Sequence, residues 1–473
     1  MADTADTTNK TGATNPTNTT NTRHYQGNPQ KNSPALGATL AYLGVNGLLA
    51  LLHGSQGCSS FIRLQLSRHY KEPIPLNSTA LLEDSVIFGG WEHLKKGIAV
   101  AADKYKPQII GVMSTGLTET FGDDMVSALA SLRQERPDLD DMPVVLASTP
   151  DYIGSMQEGY QRTVEALLTT LAGYSSEAKE QSVSDTGTGI GADTDTDIDS
   201  DSDSDSKASG GPALTVALIP GCHLTPGDVD ELKEIVMEFG FKPITIPDLS
   251  ISLDGHAELE AAPVVQGGTL LEDFQRLAKC SACLSFGLSM EKAGEILKQM
   301  YGIPHFNFPS LTGLKATDEF ILTLAKISGK AVPEKLLRQR SRLLDTLADY
   351  HDQLGGQKIA IALEMDLLYS LASCLVEVGS EISVALAASQ GGIHKLSLPI
   401  PIEVGDLETL EERAAQSNLI IANSNGRQAA GLLKIPHLRA GLPVFDRVGY
   451  PQKRWIGYEG TQQFLFDTLN SLS

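Results

Sequence analysis

One cysteine in the sequence lies where its thiol could do chemistry. Cys58 ends the hexapeptide HGSQGC at residues 53–58, which follows an apolar run at residues 48–52 and precedes an amphipathic segment at residues 61–70. A cysteine at such a strand-to-helix turn lies near helix N-terminal amides, which favour the thiolate that binds metal or attacks electrophiles. Gly54 and Gly57 are suited to close approach of the backbone to a bulky ligand. An ordinary buried thiol is the alternative, and these residues alone leave it open.

The other four cysteines lie in patterns that are typical of core thiols or give no role. Cys280 and Cys283 form a C-x-x-C pair, but the pair joins the end of a helical pattern to an apolar strand, so the two side chains need not share a face. Cys374 lies in an apolar helical run, and Cys222 follows Pro-Gly at a strand exit with no role that we can assign. Five cysteines over a long chain argue against a disulfide framework and for a reducing compartment.

Repeated strand, loop and helix patterns predict an α/β fold with three Rossmann-like, doubly wound parallel-sheet domains. A chain of 473 residues is long enough for about three hydrophobic cores. Apolar runs predict strands at residues 48–52, 109–113, 144–147, 214–219, 243–246, 282–286, 358–363, 382–386 and 419–422. Amphipathic patterns predict helices at residues 228–239, 270–279, 290–300, 333–351 and 460–472. The loops at residues 53–58 and 114–124 leave the carboxyl ends of predicted strands, where ligands collect in such sheets.

Composition divides the chain into these domains and two segments that we expect to be disordered. The predicted parts are a tail at residues 1–27, α/β domains at residues 28–174, 213–330 and 331–473, and an acidic linker at residues 175–212. The linker carries eight Asp and two Glu against two Lys and cannot bury enough apolar surface to fold. Its GTGIG run resembles a dinucleotide loop and its Asp alternation a calcium loop, but neither has the required flanking residues.

Charge and hydrophobicity exclude several classes of function. The chain is 41% hydrophobic and 20% charged, as in globular proteins, and its net charge of -21 argues against a nucleic-acid partner. No apolar run approaches the roughly 18 residues of a membrane helix, and the start has no apolar leader. We therefore expect a cytoplasmic protein without a membrane segment. The phosphate-binding motif of nucleotide-binding enzymes is also missing.

The hexapeptide and its surroundings resemble the β-type subunits of the nitrogenase family and their scaffold paralogues. The segment RHYKEP at residues 68–73 follows it, and further matches in family order lie at residues 33–38, 88–90, 114–119, 122–124, 149–151 and 154–155. Segments at residues 224–228, 239–243, 246–250, 252–256, 405–408 and 455–460 resemble the scaffold branch in particular. The resemblance implies a nitrogenase-type fold and a non-catalytic role in maturing the iron-molybdenum (FeMo) cofactor for nitrogen fixation, with no catalytic residue in this chain.

Ligand positions of the family separate its scaffold subunits from its catalytic ones. The resemblance places the three cysteines and one serine of a catalytic β subunit at Ser33, Cys58, Gly116 and Ser155. Since serine is a poor iron ligand and glycine has no donor, we do not expect the eight-iron cluster of the catalytic subunit here. The scaffold branch implies that Cys58 supplies one of four ligands to an interfacial [4Fe-4S] cluster. His53, Gly57 and Ser155 are then expected to support this ligand from nearby.

The resemblance also implies partners. A NifE-like subunit would supply the other three cluster ligands in an α2β2 heterotetramer and hold most of a transient FeMo-cofactor precursor. NifB would donate that precursor, and the iron protein NifH would dock on the complex. The alternatives are a NifK-like catalytic β subunit, a VnfN-like scaffold for vanadium nitrogenase, and a chlorophyll-pathway reductase subunit, which the downstream segments disfavour.

Two sets of charged residues near the hexapeptide have two interpretations each. Arg68 and His69 are expected either to support the cluster loop or only to complement the end of a helix. Glu119, Asp123 and Asp124 are expected either at an interface or, as we prefer, at helix N-termini, where negative charge is favoured.

Overall fold

The computed structural model describes residues 30–82, 89–174, 214–253 and 262–473. The predicted tail at residues 1–27 and the acidic linker at residues 175–212 lie outside the described residues, so their disorder and the domain bounds stay predictions. The strands of the described residues form three all-parallel sheets, which confirms the predicted fold class. Among the described residues, every helix is too short or too polar to be a membrane span.

The first sheet carries the hexapeptide at its carboxyl edge. Its strand order is β2-β1-β3-β4, with β1 (Leu48–Leu52), β2 (Leu76–Ser78), β3 (Ile109–Met113) and β4 (Val144–Ala147). The strands β1 and β3 are buried along their whole length, as apolar strands of a parallel sheet are when both faces are covered. The helices of this part are α1 (Pro34–Leu43), α2 (Gln56–His69), α3 (Trp91–Tyr105), α4 (Gly116–Phe121), α5 (Met125–Glu135) and α6 (Met156–Leu171).

The second and third sheets repeat this plan. The second has the order β6-β5-β7-β8, from β5 (Thr215–Ile219), β6 (Lys242–Thr245), β7 (Ala282–Phe286) and β8 (His305–Phe308). The third has the order β11-β10-β9-β12-β13, from β9 (Lys358–Leu363), β10 (Glu381–Ala387), β11 (Glu403–Val404), β12 (Leu419–Ala422) and β13 (His437–Arg439). Their helices are α7 (Pro226–Glu238), α8 (Leu249–Ser252), α9 (Leu271–Arg276), α10 (Glu291–Tyr301), α11 (Leu314–Ser328), α12 (Glu334–Leu354), α13 (Met365–Glu377), α14 (Leu407–Arg413), α15 (Arg427–Leu433) and α16 (Gly457–Leu472).

Buried side chains join the three sheets into one body. One apolar cluster combines Leu48 of the first sheet with Ile219 of the second. Another combines Leu218 of the second sheet with Ile361 of the third. The carboxyl edges of the sheets can therefore meet at a common junction.

The predicted elements agree with the structure where apolar runs are long. Strands β1, β3, β4, β7, β9 and β12 have the predicted bounds, β5 differs by one residue at one end, and β6 and β10 differ by one residue at each end. The predicted helix at residues 270–279 ends at Arg276 and continues as the 3-10 turn Leu277–Lys279. Helix α2 begins at Gln56, before the predicted amphipathic segment, so Cys58 lies in its first turn.

Two glycines bring the first turns of α1 and α6 into backbone contact. A Cβ atom at Gly37 would lie 1.9 Å from the carbonyl oxygen of Met156, and one at Gly159 would lie 1.9 Å from the carbonyl oxygen of Pro34. Real Cβ atoms do not approach oxygen so closely, and backbone cannot give way as a flexible side chain can. Glycine is therefore required on both helices.

We expect Gly37→Ala to lower the free energy of unfolding by about 3 kcal/mol, because the added methyl group must push two packed helices apart. Chemical denaturation followed by circular dichroism measures this change. Gly431→Ala is the control, since a Cβ atom at this glycine of α15 meets nothing within 4 Å, and it should be neutral or stabilising. Equal stability of the two variants would contradict the proposed contact.

Candidate functional site

The four positions singled out by the family resemblance all lie at helix starts. Ser33 caps α1 by accepting a hydrogen bond from the Leu36 N–H at 3.2 Å. Cys58 lies in the first turn of α2, Gly116 is the first residue of α4, and Ser155 is the N-cap residue of α6. Helices α2, α4 and α6 follow β1, β3 and β4, and the glycine contact brings the start of α1 to the start of α6. The structure therefore gathers these positions at the carboxyl edge of the first sheet.

Cys58 presents an exposed thiol at this edge. The Ser55 hydroxyl lies 3.4 Å from its Sγ atom and can donate to it. Within the described residues, no group of three or more His, Cys, Asp or Glu side chains is arranged to hold a metal ion. Cys58 could therefore bind a metal cluster only as one ligand among others that this part of the chain does not bring to it.

Exposed apolar side chains follow the candidate positions along their elements. We call this set the apolar rim, and it comprises Phe61 and Leu64 of α2, Leu117 and Phe121 of α4, and Tyr152 and Ile153 before α6. Phe61 is 61% exposed and Phe121 is 52% exposed, which is unusual for phenylalanine. Exposed apolar side chains of this kind are typical of interaction surfaces.

His53 is fully buried below the hexapeptide, and both of its ring nitrogens face protein oxygens. Nδ1 lies 3.2 Å from the Thr79 hydroxyl, and Nε2 lies 3.3 Å from an Asp123 carboxylate oxygen. Burial lowers the pKa of His53, although the charge of Asp123 opposes this shift. The His53 carbonyl also accepts hydrogen bonds from Thr115 and Thr118. The support of Cys58 predicted for His53 stays a prediction, since its Nε2 atom is buried without a hydrogen-bond partner in the described residues.

The two glycines of the hexapeptide have different environments. A Cβ atom at Gly54 would lie 2.6 Å from Thr115 Cγ2, so the fold itself requires glycine there. A Cβ atom at Gly57 would meet only the Ser55 hydroxyl, at 3.9 Å. Nothing in the described chain therefore excludes a side chain at Gly57. The space beside Cys58 is left open toward the exterior.

The neighbouring acids accept hydrogen bonds within the chain, and Glu119 and Asp124 lie at helix starts. Asp124 caps α5 by accepting hydrogen bonds from the backbone N–H groups of Val126 and Ser127. Asp123 accepts the Gly90 N–H at 2.9 Å in addition to facing His53. Glu119 accepts hydrogen bonds from the hydroxyls of Ser114 and Ser148, both at 2.5 Å.

Arg68 and His69 contact the third domain at the far end of α2. His69 is buried, and its Nδ1 accepts the Val444 N–H at 2.8 Å. Burial lowers the pKa of His69 to about 4, so the ring is neutral at physiological pH. The Arg68 guanidinium lies over the Phe445 ring, 4.0 Å from its centre. Both residues lie in the last turn of α2, away from Cys58 in the first turn. Their contacts join α2 to the third domain, a role that neither of the two interpretations describes.

Ser155 links the first domain to the third through a carboxyl network. Its Oγ atom lies 2.7 Å from Glu158 Oε2 and 2.6 Å from Glu364 Oε2. A hydroxyl can donate only one proton. One of the two carboxyl groups must therefore bring a proton of its own.

That proton belongs to Glu364. Glu158 accepts hydrogen bonds from the Ser155 N–H and from the Ser389 hydroxyl, at 2.6 and 2.5 Å. Burial would raise the pKa of Glu158, but these hydrogen bonds outweigh it and lower the pKa. Burial raises the pKa of Glu364 to about 8. Glu364 is thus a neutral acid that donates to Ser155, while Ser155 donates to Glu158, and the predicted support of Cys58 by Ser155 stays a prediction.

Further ionisable groups lie at the same junction. Asp366 accepts hydrogen bonds from the backbone of Leu288 and from Ser289, and burial raises its pKa to about 6. His223 Nδ1 lies 3.9 Å from an Asp366 oxygen, and burial lowers its pKa to about 4. Burial raises the pKa of the Cys222 thiol well above its usual value, and the nearby carboxyl groups of Asp366 and Glu158 raise it further. Cys222 is therefore a protonated thiol in acidic surroundings, which makes it a poor metal ligand.

The remaining cysteines are core residues, as the sequence predicts. Cys280, Cys283 and Cys374 are buried, and burial raises the pKa of each thiol, that of Cys280 to about 11.

One group of side chains could not be found from the sequence, because its members come from separate elements. Ser285 Oγ lies 2.7 Å from His305 Nε2, whose Nδ1 lies 3.3 Å from Glu295, as in a hydrolase triad. Ser285 is completely buried, so a substrate cannot reach it.

We expect Glu364→Gln to remove a fall in stability between about pH 4.5 and pH 8. The folded state holds the Glu364 proton up to about pH 8, whereas the unfolded chain releases it near its ordinary pKa of 4.5. Stability should therefore fall as pH rises from about 4.5 to about 8, by up to roughly 1.4 kcal/mol per pH unit. Glutamine remains a neutral donor to Ser155 at every pH and should flatten this slope. Urea denaturation across this pH range measures it, and the exposed Glu319→Gln should keep the wild-type slope.

Known proteins are similar to this chain over nearly its whole length. Residues 33–473 match the family described as Nitrogenase component 1 type Oxidoreductase. The protein named nitrogenase iron-molybdenum cofactor biosynthesis protein NifN from Rippkaea orientalis is 41% identical, covering 94% of this chain and 93% of its own. The proteins of that name from Nostoc sp. and Klebsiella pneumoniae are 38% and 32% identical, covering 93% and 94% of this chain and 91% and 90% of their own.

Solved structures agree with these relatives. The structure titled "Nitrogenase Cp1 at pH 6.5" is 26% identical, with a TM-score of 0.81 over 95% of this chain and 94% of its own. The structure titled "Nitrogenase Cp1 at pH 5" is 16% identical with a TM-score of 0.63 over 96% of this chain and 90% of its own, and it supports the fold alone. The chain therefore belongs to the nitrogenase component 1 type oxidoreductase family, and within that family to the NifN branch.

Proposed function

We propose that this chain is a scaffold subunit for the maturation of the iron-molybdenum cofactor. It pairs with a NifE-like subunit, and Cys58 is its one ligand to a [4Fe-4S] cluster at their interface. The observation that carries the proposal is the exposed Cys58 thiol at a helix start, with no grouped metal ligands beside it in the described residues. The relatives named as NifN cofactor biosynthesis proteins support the same role.

The donor set fits a shared cluster and not one that this chain holds alone. Each iron of a [4Fe-4S] cluster normally takes one protein ligand, so three more must come from the partner. Ser33 is engaged as a helix cap, Gly116 has no donor, and the Ser155 hydroxyl bridges two carboxyl groups. Once bound, the cluster would supply one-electron transfer, while this chain anchors it and excludes water.

The apolar rim supports the position of the partner. A subunit that covers the rim would bury these side chains together with Cys58, and burial of apolar area stabilises association. We propose that the partner is the NifE-like subunit of an α2β2 heterotetramer in the cytoplasm. That partner holds most of the cofactor precursor, which NifB donates, and NifH docks on the complex.

A catalytic nitrogenase β subunit is the second candidate, favoured only by the close similarity to a nitrogenase structure. The missing thiols at Ser33 and Gly116 argue against it, since an eight-iron cluster needs more donors than this edge offers. A scaffold for vanadium nitrogenase would use the same geometry, but the relatives carry iron-molybdenum names.

We expect Cys58→Ala, in the complex with the NifE-like subunit, to lose most of the [4Fe-4S] signal and its iron. Electron paramagnetic resonance of the reduced complex and iron analysis measure this loss. Ser60→Ala changes an exposed residue on the same helix and should leave both unchanged. An undiminished signal in Cys58→Ala would falsify the ligand assignment.

We expect Gly57→Ala to lower the cluster content of the complex without lowering the stability of the chain. Within this chain a methyl group at Gly57 meets no close atom, and alanine favours a helix by up to about 1 kcal/mol over glycine. The variant should thus be at least as stable as wild type, yet the complex should bind less cluster, because the methyl group fills space beside Cys58. Thermal unfolding and iron content measure the two effects, and full iron content would show that no ligand approaches Gly57.

A further inference from the structure

A cleft of about 530 Å³ opens between the first and third domains at the far end of α2. Its described lining includes two cations, Lys31 and Arg68, and the polar side chains of Ser33, Gln65 and Asn425, but no carboxylate. The side-chain oxygen of Gln65 is buried and has no hydrogen-bond partner. The cleft therefore offers positive charge and polar groups, with no carboxylate in its described lining.

Arg68 is held so that it can bind an anion. Its guanidinium carbon lies over the Phe445 ring, 4.0 Å from the ring centre, and this contact uses none of the N–H groups. No carboxylate of the described residues pairs with Arg68. The neighbouring His69 is buried and bonded to Val444, which fixes this end of α2 against the third domain. Lys31 is anchored by donating to the Asp151 carbonyl at 2.8 Å.

One face of α2 runs from Cys58 to this cleft. Cys58, Phe61, Gln65 and Arg68 are spaced by three, four and three residues, so they lie on the same side of the helix. This stripe spans about 15 Å at the usual rise of a helix. Cys58, Phe61 and Arg68 are all exposed. A partner that meets Cys58 and covers Phe61 therefore also reaches the mouth of the cleft.

We propose that the cleft receives an acidic side chain of the subunit that shares the cluster, and that Arg68 binds its carboxylate with Lys31 nearby. This inference rests on the proposed function, which places that partner against Cys58. Covering Arg68 without an anion would leave a charge buried and unpaired, which is strongly unfavourable. A carboxylate matches the two parallel N–H groups of a guanidinium and would also fix the register of the partner along α2.

The test uses the full chain co-expressed with the NifE-like subunit of the same genome. Dissociation of the purified complex is followed by native mass spectrometry and analytical ultracentrifugation at several salt concentrations. We expect Arg68→Glu to weaken association about a hundredfold. Arg68→Gln, which keeps the size of the side chain, should weaken it less and reduce its dependence on salt. Arg338→Glu alters an exposed arginine of α12 and should change neither.

Two results would overturn this inference. One is equal affinity in Arg68→Glu, Arg68→Gln and Arg338→Glu, with circular dichroism showing that all are folded. The other is binding of citrate to the assembled wild-type complex that Arg68→Gln abolishes without weakening subunit association, since the cleft would then hold a small anion. Loss of the cluster in Cys58→Ala alongside either result leaves the proposed function intact, whereas an unchanged cluster in that variant removes the proposed function itself.

Discussion

The backbone contact between α1 and α6 sets where the candidate residues lie. Gly37 and Gly159 allow two helix starts to cross at a distance that no side chain would permit. The residues before α1 contact the third domain. There the Gln30 amide donates hydrogen bonds to the Leu363 and Leu386 carbonyls at 2.8 and 3.1 Å. One helix contact thus fixes an edge of the first sheet and its distance from the third.

The carboxyl network of Ser155, Glu158 and Glu364 lies at the same junction, and its hydrogen bonds depend on pH. Ser155 belongs to the first domain and Glu364 to the third, and their hydrogen bond exists because Glu364 keeps its proton. A charged Glu364 would place two anions on one hydroxyl in a buried site, which is unfavourable. This hydrogen bond between the two domains therefore depends on a neutral acid.

The long elements and the family of this chain could be predicted from sequence, but not its contacts. Apolar runs such as β9 are decided locally, because both faces of the strand must be buried. Edge strands such as β8, with the sequence HFNF, carry no such run and form only beside a neighbour already in place. Cys58 could be identified because its motif is contiguous. The bond from Ser155 to Glu364 and the stacking of Arg68 on Phe445 join residues hundreds of positions apart, and no local pattern records them.

The shortage of cysteine ligands and the exposed apolar side chains occur on the same surface of this chain. The edge around Cys58 offers one cysteine where a four-iron cluster normally takes four ligands, and it exposes aromatic and aliphatic side chains that water solvates poorly. A partner that brought ligands but no apolar surface would leave the rim wet and the cluster open to solvent. A partner that brought apolar surface but no ligands would leave the cluster unsupported. Since a single contacting subunit can meet both needs, the shortage of sulfur donors and the apolar rim are better explained together than as separate features.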